Sequence, residues 1–320
     1  MGETKKIILI VLLYFFLAWS VTGVYFFTHA EQIPERWEDW HAQIMAGQSD
    51  TSNQFRLLAP WLAEAFDGPF NQPIYVAYLM VRFVFTFILF CMFHLFLLKW
   101  FRYAGAAFGV VLLAAFTPIT FLPYLQESDV VLYPFFLAGV WLIREKKVWW
   151  TLPVLFAGTF AKETIAFIIP MYALYQWSKQ RVVRTVLETC VLVAVWAGAF
   201  YLSRHMFFDG TNSSLWQLTY NISTLKNVLS FNPVTNFFIY FIPLFGVFWI
   251  VPFIQLRQKP LFLRRAAPYI VLYTVLNFIM GWPYETRILL PLAFLVIPSG
   301  LMTFFPELYG TEKKSEILSV

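Results

Sequence analysis

Charge is scarce in this chain. Only 13% of its 320 residues are Asp, Glu, Lys or Arg, while 60% are hydrophobic and 21% aromatic. So little charge cannot solvate the surface of a globular domain of this length, which excludes a water-soluble enzyme or a free-standing binding module. Cysteine is scarcer still, with two residues, Cys91 and Cys190. Each lies inside an apolar run, so a disulfide framework is excluded and both read as packing. There is no CxxC pair, no HExxH and no glycine-rich phosphate loop. Thiol redox, zinc hydrolysis and nucleotide-loop chemistry therefore have no motif to rest on. The net charge of +5 is not a nucleic-acid footprint, because the basic residues cluster at the ends of apolar runs rather than on one patch.

What the chain has is apolar length. The runs are too long for barrel strands, which alternate over about ten residues, so the expected fold is an all-α polytopic membrane protein. We read about ten transmembrane helices in a single integral membrane domain over residues 1–320: Ile7–Phe27, Ile74–Leu98, Ala104–Phe121, Val130–Ile143, Val148–Phe160, Thr164–Trp177, Val186–His205, Phe237–Ile254, Pro268–Met280 and Ile288–Phe305. The first is longer than a signal-peptide core and no small-residue cleavage site follows it, so it reads as a retained span. Residues 28–73 form a first polar loop and 206–236 a second. Within the first loop, Pro34–Ile44 and Gln54–Phe66 have helical spacing with one apolar face each, the pattern of helices lying along a membrane surface.

Basic residues set the orientation. With both termini inside, sixteen Lys and Arg fall on the cytoplasmic side and five on the other, Arg36, Arg56, Lys162, Lys226 and Arg287. Twelve of the eighteen acids fall outside. That acid excess has no role in topology and points to a cation-binding or acid–base site.

The stretch Gly158–Pro170 sets Lys162 and Glu163 between two apolar runs, with basic clusters on both flanks. At 1.5 Å rise per residue each run makes a helix of roughly 20 Å, short of the ~30 Å hydrocarbon core. The pair is therefore expected at the sunken tip of a hairpin, flooring a hollow open to the outside. Around it the topology gathers Glu38 and Asp39, Arg56, Glu127 with Asp129, and Glu285 with Arg287. Carboxylates and cations mixed in one low-dielectric hollow can set a general base beside an anion clamp. Structural readings stand beside these. Glu38 and Asp39 also suit a solvated helix face, and Arg56 a side chain reaching lipid phosphate. Lys162–Glu163 and Glu285–Arg287 suit ion pairs holding hairpin tips, and Asp129 suits a helix N-cap. Arg82 lies within an apolar span and demands an acid or phosphate partner. His41 beside Glu38 has the spacing to contribute to a divalent metal ion site.

In layout the chain resembles the polytopic glycosyltransferases of the GT-C superfamily. The resemblance rests on a first span followed by a long loop with two surface helices and the adjacent acids Glu38-Asp39. It is supported by Gln54–Pro60, Glu127-Ser-Asp129, Ala161–Thr164 and Glu285–Pro291, which resemble segments of a small bacterial branch. It implies a multi-pass protein of the bacterial inner membrane that takes a polyprenyl-phosphate sugar donor from the lipid and transfers the sugar, with inversion, to an extracytoplasmic acceptor. Asp39, or Glu38, would be the base. Arg56, Glu127, Asp129, Lys162, Glu163, Glu285 and Arg287 would line the substrate site. The residues by themselves also accommodate a transporter or flippase with a charged cavity, or a non-catalytic subunit of a membrane complex.

Overall fold

The structure, a computed structural model, describes residues 2–49, 52–70, 72–121, 127–177, 182–205, 242–280 and 285–309. Among these residues there is no strand; one isolated bridge joins Phe101 to Tyr309. Five helical stretches are long and apolar enough to cross a membrane: Thr4–His29, Ile74–Leu97, Tyr103–Phe121, Val182–His205 and Thr286–Phe304. The chain is an α-helical membrane protein. It divides into two compact units, one of Met1–Leu89 with Leu125–Ser213 and one of Phe90–Tyr124 with Ser214–Val320.

In the first unit, α1 (Glu3–His29) is apolar all round. It buries a seam of Tyr14, Ala18, Val21 and Tyr25, spaced by four, three and four residues, and leaves Ile7, Ile8, Phe16, Trp19 and Phe27 exposed. A helix with a narrow buried seam and a greasy exterior suits lipid, not water. The first loop forms its first helix where the periodicity places it, while the second, expected over Gln54–Phe66, starts four residues later at Leu58. α2 (Ile33–Met45) has Pro34 in its first turn and buries Ile33, Trp37, His41 and Ile44 on one face. A 3-10 turn, Ser52–Phe55, leads to α3 (Leu58–Phe70). α4 (Ile74–Leu97) begins in this unit and finishes in the other.

The most enclosed element of the unit is α6 (Ser128–Arg144), which buries twelve of its residues. Against it folds the hairpin of α7 (Val148–Ala161), a 3-10 turn at Glu163–Phe167, and α8 (Ile168–Gln176). The helix stops at Ala161 because Lys162 is fully extended, at φ −165° and ψ 136°. Two glycines let the hairpin close. A Cβ on Gly139 would stand 2.8 Å from Ile168 Cδ1, and one on Gly158 2.9 Å from Ile165 Cγ1. α9 (Val182–His205) packs on α7 and α8 and donates Trp196 Nε1 to the carbonyl of Glu163 at 3.2 Å.

In the second unit, α5 (Tyr103–Phe121), α10 (Leu261–Met280) and α11 (Ala293–Phe304) are the long helices. Phe93 and Phe96 at the end of α4, with Trp100 just beyond it, make a run of ring contacts with Phe262 of α10 and Phe294 of α11. Where the sequence suggests a short span starting at Pro268, the helix starts at Leu261. Pro268 lies within it, and Arg264 and Arg265, which read as loop, occupy its first turns. Interior proline survives in membrane helices because neighbouring groups take up the freed carbonyl. The expected span Phe237–Ile254 is described only from Ile242. There it is broken into one α-turn (Ile242–Phe245) and short 3-10 turns, with Gly246 at φ 52°. The last span opens as a 3-10 helix, Thr286–Leu292, before becoming α11. The loop 206–236 and the turn at 122–126 lie outside the described residues.

Candidate functional site

Six charged side chains of the first unit pair across four segments. Arg82 of α4 gives Nε and Nη2 to the same oxygen of Glu127, Oε1, at 3.0 and 2.8 Å. Lys162, at the hairpin tip, reaches Asp129 Oδ1 at 2.5 Å. Arg56, just before α3, forks onto Glu163 with Nε–Oε2 at 3.1 Å and Nη2–Oε1 at 2.6 Å. The first two pairs are sealed from solvent, none of their side chains being more than 3% exposed. The third is nearer the outside, with Glu163 27% exposed. Burial pushes the Glu163 carboxyl up, but the Arg56 guanidinium and the Lys162 ammonium pull harder, and it is lowered to about 2. Bidentate Arg–carboxylate geometry of this kind is what repays desolvation; a loose pair would not.

The partners differ from the sequence expectation. Lys162 and Glu163 are adjacent in the chain yet turn opposite ways, because Lys162 is extended and the helical turn begins after it. Each therefore finds a partner on a different element. Nor does Asp129 cap α6: the N-cap is Glu127, Asp129 lies in the first turn, and its carboxylate is held by Lys162. Arg82 has the acid it demanded.

Beside Arg56 and Glu127 lies a small cavity whose other polar and aromatic walls are Trp37, Trp40, Tyr78 and Ser128. Trp37 stacks on Tyr78 with ring centres 4.4 Å apart. The cavity is partly open and its volume is about 10 Å³, close to the least that holds one water. Glu127 Oε2 and Ser128 Oγ are buried with no partner at full hydrogen-bond geometry among the described residues, although the Tyr25 hydroxyl also bears on the Glu127 carboxylate. A buried carboxylate oxygen in that state is a ready acceptor for a hydroxyl or a water.

Of the residues singled out in the sequence, Arg56, Glu127, Asp129, Lys162 and Glu163 come together here. Glu38 and Asp39 do not line the cavity. They are exposed on α2, Asp39 being about 200° around the helix from Trp37. Glu285 and Arg287 belong to the second unit, where they pair with each other at 3.2 Å. His41 does not face Glu38: Nε2 meets Glu64 Oε1 at 2.8 Å and Nδ1 meets the Tyr78 hydroxyl at 3.0 Å. Among the described residues no three His, Cys, Asp or Glu side chains gather as a metal site.

Three residues of the site went unread in the sequence. Tyr78 stands one helical turn before Arg82 on α4, a spacing that places a polar tip on the same face. Glu64 is an exposed residue of α3. Arg204, at the end of α9, lays its guanidinium 3.4 Å from the Phe200 ring centre and 4.5 Å from that of Phe55, within electrostatic reach of Glu163 and Arg56. A basic residue closing an apolar span was the available signal. Compared with protein-family models, curated proteins and solved structures, the chain matches none.

Proposed function

We propose that this protein is a membrane glycosyltransferase of the GT-C kind, moving a sugar from a polyprenyl-phosphate donor to an acceptor hydroxyl on the non-cytoplasmic side of a bacterial inner membrane, with both termini cytoplasmic. The observation that carries the reading is Glu127: a buried carboxylate, one oxygen anchored by Arg82, lining a cavity with indole and phenol walls and a guanidinium. Aromatic faces hold sugar rings. A fixed carboxylate at that place accepts the proton an attacking hydroxyl must lose. Arg56, on the same cavity, supplies positive charge for a departing phosphate, an interaction worth most where water is excluded. Asp39 points away from the cavity, so the geometry favours Glu127 as the base. A sugar does not fit a space for one water. The reading therefore requires α2 and α3 to lift from α4 and α6 on loading, and Gly47, at φ 70° just past α2, is the hinge available.

The test is transfer by the purified chain in lipid nanodiscs, supplied with radiolabelled polyprenyl-phosphate sugars. Glu127→Gln, which preserves an acceptor for Arg82, is expected to abolish transfer, and Asp39→Asn to retain it. The reverse pattern returns the base to Asp39. No turnover of any donor, together with no polyprenyl-phosphate lipid co-purifying in native mass spectrometry, ends the proposal.

A further inference from the structure

His41 is buried, and both its ring nitrogens are engaged. The imidazole sits between a residue on the cavity and a residue in water. On one side Tyr78 of α4 lines the cavity that Glu127 and Ser128 also line. On the other, the Glu64 side chain of α3 is 51% exposed. The direction of the hydrogen bonds follows from what each group can do. An ionised carboxylate only accepts, so Glu64 takes the proton of Nε2. In the neutral ring Nδ1 is then an acceptor, and the Tyr78 hydroxyl donates to it. Glu127 and Glu64 both lie within electrostatic reach of the Tyr78 phenol. Trp37 stacks over Tyr78, and the charged residues of α2 itself, Glu35, Arg36, Glu38 and Asp39, are exposed.

We propose that Tyr78, His41 and Glu64 form a proton path joining the Glu127 cavity to bulk water. With α2 and α3 seated on α4, the cavity has room for one water, and a water there, taking Glu127 and Ser128 as partners, would complete the link to Tyr78. A proton collected on Glu127 Oε2 passes through the water to the Tyr78 oxygen. The phenol proton moves to His41 Nδ1, the Nε2 proton moves to Glu64 Oε1, and Glu64 releases one proton to solvent. One proton enters and one leaves. Glu127 is an ionised carboxylate again, Tyr78 has its hydroxyl, and His41 is left as the Nδ1–H tautomer, which returns to the Nε2–H form when the ring swings off Tyr78, Nδ1 gives its proton to solvent and Nε2 takes one from solvent. The path rests on the glycosyl-transfer reading only in taking Glu127 as the group that collects the proton. Any chemistry that loads Glu127 would use it.

The experiment needs no turnover. The chain has four histidines, so 15N-histidine labelling of the protein in lipid nanodiscs gives a short spectrum in which His41→Asn identifies the His41 resonances. Expected for the wild type are two neutral tautomers in exchange, with averaged Nδ1 and Nε2 shifts. Tyr78→Phe keeps the stack on Trp37 but removes the hydroxyl, and is expected to collapse His41 to a single tautomer. Glu127→Gln, which makes no hydrogen bond with His41, is expected to do the same. A histidine serving only to pack α2 would not respond to that change. A single fixed tautomer in the wild type overturns the path, and so does exchange that continues unaltered in Tyr78→Phe. Glycosyl transfer by a protein with a fixed His41 would defeat the path alone. Exchanging tautomers without transfer would defeat the transferase alone.

Discussion

Replacing Lys162 by Met tests whether the buried ion pairs hold the first unit together. Lys162 and Asp129 are 2% and 3% exposed at the side chain, and their contact is 2.5 Å. Methionine keeps the aliphatic stem and its packing but leaves a carboxylate inside the protein with its cation gone. Removing one partner of a buried pair costs about 3–5 kcal/mol, most of it the desolvation of the charge left behind rather than the attraction lost. Removing both is far milder, because nothing charged is then stranded. Lys162→Met should therefore destabilise strongly, Asp129→Asn by a similar amount, and the double variant by much less than their sum, with a coupling of roughly 2–4 kcal/mol. The assay is SDS-titrated unfolding in mixed micelles followed by tryptophan fluorescence, read as a double-mutant cycle. If Lys162→Met unfolds at the wild-type SDS fraction, or the double variant is as unstable as the sum of the singles, the pair contributes little and the reasoning is wrong.

Two further outcomes follow from the same unit. The Glu163 carboxyl is lowered in the fold to about 2 from an ordinary 4.5; a gap of that size is worth about 3 kcal/mol at most. Since the folded value is the lower one, the contribution is full above about pH 4.5 and is lost as pH falls towards 2. Thermal melts of wild type and Glu163→Gln should accordingly differ by a constant amount from pH 7 to 5 and converge below pH 4; a difference that grows in acid would contradict the assignment. Gly158→Ala places a methyl 2.9 Å from Ile165 Cγ1 and 3.3 Å from Phe135 Cβ, neither of them the free end of a chain. It should cost about 1–3 kcal/mol, measured by the same SDS titration, and a neutral result would mean that α7 and α6 separate more easily than their packing suggests.

How far the sequence could be read depended on the range of the interactions involved. Local periodicity was enough for α2, whose buried Ile33, Trp37, His41 and Ile44 follow one another at helical spacing, and for the break at Lys162, where two apolar runs meet a charge pair. The ion-pair partners were not local. Arg56 and Glu163 are 107 positions apart and Arg82 and Glu127 are 45 apart, and nothing in either neighbourhood names the other. Adjacent residues misled for the same reason. Lys162 and Glu163 look like each other's partners until the extended backbone at Lys162 points them apart. The adjacent acids Glu38 and Asp39 stand out in the sequence through their family resemblance, yet helical rotation turns them away from the cavity. Glu64 carries no pattern, since an exposed glutamate on a helix is ordinary, and the only signal for Tyr78 is its place one turn before Arg82. Only the fold brings them to the two sides of one imidazole.

The six charges that pair around Lys162 and Glu127 sum to zero, but most of the segments that bring them do not. α4 carries Arg82 alone, the start of α6 brings two acids, and the hairpin tip is balanced within itself. During synthesis α4 therefore leaves the ribosome with a cation whose acid is still 45 residues away, and a lone arginine inside an apolar helix is costly to hand over to lipid. Biogenesis has to keep α4 within the insertion machinery, or at its rim, until α6 arrives to neutralise it. The order in which these helices enter the bilayer is thus fixed by charge as well as by their position in the chain.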